Sequence, residues 1–256
     1  MVEPLVSFIG AGPGDPELIT LKGRRRIDDA DLIVFADSLV DAAICASAKS
    51  GARIEASSSL TLEQTMQMML EAARRGHKVA RVHSGDPGVY GAINEQIAIL
   101  EAEGIPYEIV PGVTAAAAAG ARLGVEMTVP NVTQTVIFTR TSGRASAVPE
   151  REQLVRLAAH GASMAIFLSA SMLSKVVREL LEGGYEPETP CAMVYKATWP
   201  DEKIVRGTLA DIAGKVREAR FTRQAIILVG AVFGERLQQR SRLYSPDYTH
   251  LFRNGG

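Results

Sequence analysis

Short runs rich in Val, Ile and Leu recur along the chain at residues 6–9, 32–35, 79–82, 107–110, 136–138, 165–168, 191–195 and 226–229. They show no strict alternation with polar residues, which is the pattern of strands covered on both faces. Between them the apolar spacing changes to that of a helix. Leu62, Met66, Met69, Leu70 and Ala73 line one face behind Thr61-Leu62-Glu63-Gln64, which has the form of a capping box. The methionines on that face read as core filler. Ile93, Ile97 and Leu100 define a second helix, residues 154–160 a third, 171–181 a fourth, and 209–219, with Thr208 as cap, a fifth. Strand and helix alternate, so the expected class is α/β, with crossover helices joining the strands.

The alternation breaks once. Gly124-Val125-Glu126-Met127-Thr128-Val129-Pro130-Asn131 follows an alanine-rich helix and reads as a loop. It predicts two α/β domains, 1–125 and 132–234, with a small-molecule cleft between them. Residues 235–256 carry Arg236, Arg240, Arg242 and Arg253 without helical or strand period and read as a surface tail.

Composition removes several function classes. Lys and Arg total 28 against 29 Asp and Glu, so the general phosphate attraction of a nucleic-acid binder is missing. No apolar run approaches the roughly 20 residues of a membrane span, and no signal peptide is expected. Cys45 and Cys191 match neither a zinc spacing nor a disulfide framework, which favours a reducing, cytoplasmic compartment. The histidines, His77, His83, His160 and His250, are dispersed, so no metal site is expected. The basic run Lys22-Gly23-Arg24-Arg25-Arg26 is followed by Asp28, Asp29 and Asp31, and Arg25 stands four residues from Asp29. It reads as a self-paired helix face rather than an anion site.

Three glycine-rich turns follow strands: Gly10-Ala11-Gly12-Pro13-Gly14-Asp15-Pro16, Ser84-Gly85-Asp86-Pro87-Gly88-Val89-Tyr90-Gly91, and Pro111-Gly112-Val113-Thr114-Ala115. Ligands of open α/β sheets bind at such strand ends. The first turn is not a dinucleotide fingerprint, because Asp15 occupies a glycine position and Pro13 and Pro16 interrupt the turn into a helix. An acidic residue there repels phosphate. A ligand without phosphates that needs close backbone approach fits better, and an NAD-binding oxidoreductase is the weaker alternative.

Residues 8–23, Ser84-Gly85-Asp86-Pro87 and Pro111-Gly112-Val113-Thr114-Ala115 are similar to the motifs of the tetrapyrrole methylases, in the same order, over about residues 5–230. The resemblance implies a two-domain α/β enzyme that folds S-adenosyl-L-methionine into its cleft and acts as a homodimer on a tetrapyrrole. By motif match Pro13 borders the cofactor. Ser84, Gly85, Asp86 and Val89 line it, and Thr114 and Ala115 touch it from the N-terminal half. Ser169, Ala197 and Ala225 close it from the C-terminal half. His83 with the residues after it, Gln134-Thr135-Val136, Thr139-Arg140 and residues 199–208 resemble family members that methylate C11 of precorrin-4 in cobalamin biosynthesis, ahead of another carbon such as C17 of precorrin-3B. A tetrapyrrole carrier without catalysis is a further alternative.

Such chemistry asks little of side chains, because the sulfonium is already a strong donor and alignment supplies most of the acceleration. The macrocycle's carboxylates call for arginines. Arg140 and Arg144 are the substrate-binding candidates, with Arg122 and Lys22 behind them. Asp86 and His83 are the candidates for proton handling. No catalytic base stands out.

Overall fold

Every strand run but one lies where the apolar pattern places it, and two further strands complete the sheets. The structure is a computed structural model that describes residues 3–143 and 147–234, with Ser245, Tyr248, Thr249, Leu251 and Arg253 beyond them. Its contacts divide the chain into two units, Met1–Ala118 with Lys196–Asp201, and Ala119–Tyr195 with Glu202–Gly256. The short segment Lys196–Asp201 thus interrupts the second stretch and belongs to the first unit.

The first unit holds a five-stranded sheet of β1 (Val6–Gly10), β2 (Leu32–Phe35), β3 (Arg53–Ala56), β4 (Val79–His83) and β5 (Tyr107–Val110) in the order β3-β2-β4-β1-β5. Every pairing in it is parallel. Helices cover both faces. Ile9, Ile33 and Val82 pack with Ile27 of α1 (Leu21–Asp28) on one side. Phe8, Val34 and Val79 pack on the other with Met66 and Met69 of α2 (Leu62–Arg74) and Leu100 of α3 (Asn94–Ala102). The capping box forms as read: Thr61 Oγ1 accepts from the Gln64 amide and the Gln64 side chain accepts from the Thr61 amide. Strand β3 escapes a search for buried apolar runs because it lies at the sheet edge and three of its four residues, Arg53, Ile54 and Ala56, are exposed.

The alanine-rich helix α4 (Ala115–Leu123) begins in the first unit and ends in the second. The second unit's sheet contains β6 (Val136–Thr139), β7 (Ser163–Ile166), β8 (Pro190–Tyr195), β9 (Lys203–Thr208) and β10 (Ala225–Val229) in the order β6-β7-β10-β8-β9. Only the β6–β7 pairing is parallel and the others are antiparallel, yet β6, β7 and β8 run one way and β9 and β10 the other, so three of the four connections are helix crossovers, as expected, and only β8–β9 is a hairpin. α5 (Leu154–Ala158), α6 (Leu173–Glu182) and α7 (Ile212–Ala219) supply Leu154, Leu180 and Ile212 to a core with Met164, Met193 and Ile227. β9 is the second missed strand, another edge strand with a largely exposed pattern.

Two local expectations are corrected. The strand expected at 165–168 sits two residues earlier, because Ser163, buried and donating its hydroxyl to Met127 O, pairs in register with Val136, whereas Leu168 is 65% exposed at φ 52°. Thr208 does not cap α7. Its amide instead donates to Asp211 Oδ1 at 2.8 Å, and the helix starts after that turn.

Candidate functional site

The all-parallel sheet puts the carboxyl ends of β1, β4 and β5 side by side, with Gly10 opposite His83 and Ile9 opposite Val110. The three glycine-rich turns therefore leave from one edge. They meet through backbone. Gly12 and Gly85 exchange hydrogen bonds of 3.3 and 2.7 Å. A Cβ on Gly10 would stand 2.5 Å from Gly85 O and 2.6 Å from Gly112 Cα, so any side chain would force the loops apart. Asp86 braces the second loop to the third: its Oδ1 accepts from Gly88 N at 2.7 Å and its Oδ2 from Gly112 N at 2.9 Å. Both carboxylate oxygens are thus committed to backbone amides, which is the work of a brace. Pro13, Ser84, Gly85, Asp86, Val89, Thr114 and Ala115 are all half-buried in this unit. Thr114 Oγ1 accepts from Ala116 N at the start of α4. No lysine or arginine stands in the three loops, so the cradle suits a nucleoside that carries no phosphate.

His83, at the end of β4, is buried against Phe8 with ring centroids 6.1 Å apart. Burial, and then the positive charge of Arg81, push its pKa down to about 3, so the imidazole is neutral at physiological pH. Its Nε2 has no hydrogen-bond partner among the described residues. Arg81 is buried on the same strand, donates to Val34 O, Ser57 Oγ and Gln96 Oε1, and is itself drawn down to about 10 by burial.

Beside the first loop lies a cavity of about 380 Å³ walled by Ala11, Leu39, Val40, Ile44 and Trp199 and bordered by Asp15 and Asp41. The sequence pattern gives no site role to residues 41–44. The available signal was positional: they follow β2, whose carboxyl end lies on the same edge of the parallel sheet. Trp199 Nε1 donates to Pro13 O at 2.9 Å, and Thr198 Oγ1 accepts from Asp15 N at 2.9 Å. Lys196 lies 5.1 Å from the indole centroid and pairs with Asp201 at 2.7 Å. Asp37 clamps the loops after β2 and β3, accepting from the Ser58 hydroxyl and amide, bonds that hold its carboxyl below the ordinary range.

The remaining expected residues are distributed. Ala197 is buried in the first unit rather than in the C-terminal half, because the chain leaves the second unit after Tyr195. Ser169 and Ala225 lie in the second unit; Ser169 is fully buried, accepting from Thr141 N and donating to Phe167 O. Arg140, at the end of β6, donates to Ala147 O at 2.9 Å. Arg144 and most of the 235–256 tail lie outside the described residues. Arg122 is held by both Glu202 oxygens at 2.8 and 3.0 Å, and Lys22 and Arg26 converge on Glu108 at 2.5 Å each. Burial alone would raise the Glu108 pKa, but these two cations and Ser7 hold it below normal. The basic run is paired, but chiefly from outside its own helix: Lys22 and Arg26 meet Glu108 of β5, and the pair within the run is Arg24–Asp28 at 4.0 Å rather than Arg25–Asp29. Among the described residues no cluster of His, Cys, Asp and Glu is set to hold a metal, and no helix is long and apolar enough to cross a membrane. Cys45 and Cys191 are buried free thiols whose pKa values burial pushes up.

Known proteins resemble this chain in sequence and in fold. The chain is 50% identical over 248 residues to the cobalt-precorrin-4 C(11)-methyltransferase of Methanocaldococcus jannaschii, covering 97% of this chain and 95% of that protein. It is 50% identical over 250 residues to the precorrin-4 C(11)-methyltransferase of Pseudomonas aeruginosa, covering 98% and 99%. Among solved structures, a cobalt precorrin-4 methyltransferase described as a cobalamin biosynthetic enzyme superposes with a TM-score of 0.87 at 47% identity, covering 90% of this chain and 95% of that one. Uroporphyrin-III C-methyl transferase from Thermus thermophilus, complexed with S-adenosyl homocysteine, superposes with a TM-score of 0.74 at 27% identity over 89% and 97%. Residues 5–213 match the Tetrapyrrole (Corrin/Porphyrin) Methylases, and the chain belongs to that family.

Proposed function

We propose that this protein is an S-adenosylmethionine-dependent methyltransferase that methylates C11 of precorrin-4, or of its cobalt form, in cobalamin biosynthesis. The observation that carries the reading is the meeting of three glycine-rich loops at backbone distance, with Gly10, Gly85 and Gly112 in mutual contact and no cation in the loops. S-adenosylmethionine bound there supplies a methyl group activated by its sulfonium. The protein's task is to hold and align. Pro13, Ser84, Gly85, Asp86, Val89, Thr114 and Ala115, with Ala197, are the residues of the first unit assigned to the cofactor, and Ser169 and Ala225 those of the second. Asp86 acts by keeping the second and third loops together. His83, neutral and buried, is suited to hydrogen bonding rather than to proton abstraction. Arg140 and Arg144 are assigned to the macrocycle's carboxylates. The reading carries with it a cytoplasmic homodimer, as the family resemblance implies.

Calorimetric titration with S-adenosylhomocysteine, with NAD as control, tests the cofactor assignment. The expected result is binding of the former near −8 kcal/mol, about micromolar, and none of the latter. NAD binding alone would overturn it. Incubation with precorrin-4 and methyl-labelled S-adenosylmethionine should then place one labelled methyl on C11, as read by carbon NMR; no label there, with a label on C17 when precorrin-3B is supplied in its place, would move the enzyme to another step.

A further inference from the structure

The hairpin between β8 and β9 is closed by residues 196–202, longer than the two to five residues such turns usually need. The excess goes to the first unit. Lys196 and Thr198 hold φ of 46° and 71°, left-handed conformations that non-glycine residues adopt only when their surroundings enforce them. What enforces them is the first glycine-rich loop. Thr198 Oγ1 takes the Asp15 N–H, and the Trp199 N–H goes to Pro13 O, so the two residues flanking Gly14 are each pegged by one hydrogen bond. Gly14 makes the fit possible, since a Cβ there would collide with indole Cδ1 and Nε1. Pro13 has no N–H, and its carbonyl is the only backbone handle it offers. On its other flank the same loop is tied to the second loop through Gly12 and Gly85.

We propose that Trp199 and Thr198 are positioning residues for the cofactor: the Lys196–Asp201 segment sets the conformation of the first glycine-rich loop, and through Pro13 the affinity for S-adenosylmethionine. This rests on the cofactor reading above. Neither side chain is assigned a chemical step.

The protein carries its own probe, because Trp199 is the single tryptophan of the chain. S-adenosylhomocysteine added to the wild type should change the indole emission with the same constant that calorimetry gives. Trp199→Phe keeps a ring and removes the N–H; its S-adenosylhomocysteine constant should rise about fivefold, the worth of one neutral hydrogen bond. Thr198→Val is close to isosteric, retains the fluorophore, and should raise the constant about threefold with a smaller emission response. In steady state the cofactor constant should rise in both variants while the macrocycle constant stays put. A purely structural role would lower the melting temperature and leave the constants of the folded protein alone. Variants that bind S-adenosylhomocysteine like the wild type overturn the proposal, with Thr198→Val deciding if Trp199→Phe does not fold. A wild type that binds none overturns the cofactor reading, and the proposal falls with it.

Discussion

The two units are built from the same number of strands, five each, yet only in the first are all of them parallel, so that every connection leaves from one edge. Its strands all run parallel, so the chain leaves β1, β4 and β5 at neighbouring points, and three glycine turns far apart in sequence become neighbours in space. In the second unit β6, β7 and β8 run one way and β9 and β10 the other, so the connections after β6, β7 and β8 leave from one edge and those after β9 and β10 from the opposite one. Ser169, after β7, accepts from Thr141 N after β6, and Ala225 opens β10 opposite Tyr195 at the end of β8. Glycine at the strand ends, more than strand direction, therefore sets apart the unit in which three loops meet through backbone.

If that division of labour holds, the largest effect on stability belongs to the second unit. Leu180→Ala removes a fully buried side chain from its core and should cost about 4 kcal/mol in chemical denaturation, with the S-adenosylhomocysteine constant of the folded protein unchanged. A weakened constant would mean that the second core also shapes the loops. Gly10→Ala should do the reverse in proportion. The added Cβ meets backbone on two loops that cannot swing aside, so a stability loss of about 2 kcal/mol should come with a binding loss of about a hundredfold. Wild-type affinity in that variant would break the link between loop convergence and the ligand. The smallest effect is a pH dependence. His83 has a pKa of about 3 in the folded protein against an ordinary 6.5, so between those values the unfolded chain binds the extra proton. Its contribution is complete above pH 6.5 and is lost as pH falls, by up to about 1.4 kcal/mol per unit. Denaturation midpoints measured from pH 7 to 5 should show this slope, and His83→Gln should flatten it.

Burial determined what could be read in the sequence. The central strands are apolar on both faces and stand out; β3 and β9 pair on one side only, keep residues such as Arg53, Lys203 and Arg206, and carry no such signal. The three glycine turns were legible because close backbone approach excludes side chains, a demand written directly into residue type. The wall formed by Leu39, Val40 and Ile44 was not, since ordinary aliphatic residues serve a cavity and a core alike. Nor does spacing announce that Asp86 braces two loops, or that Trp199 reaches Pro13 across 186 positions of sequence.

That last separation bears on how the protein is made. Synthesis runs from the amino terminus, and the parallel sheet of the first unit is fully encoded once Val110 has emerged. Pro13 O and Asp15 N nevertheless wait for Trp199 and Thr198, near residue 200 of 256. The nascent sheet therefore exists for a long interval with its first turn unfastened and one wall of its cavity open. A ribosome stalled before codon 196 would hold a domain with its strands in place and its first glycine-rich loop untied.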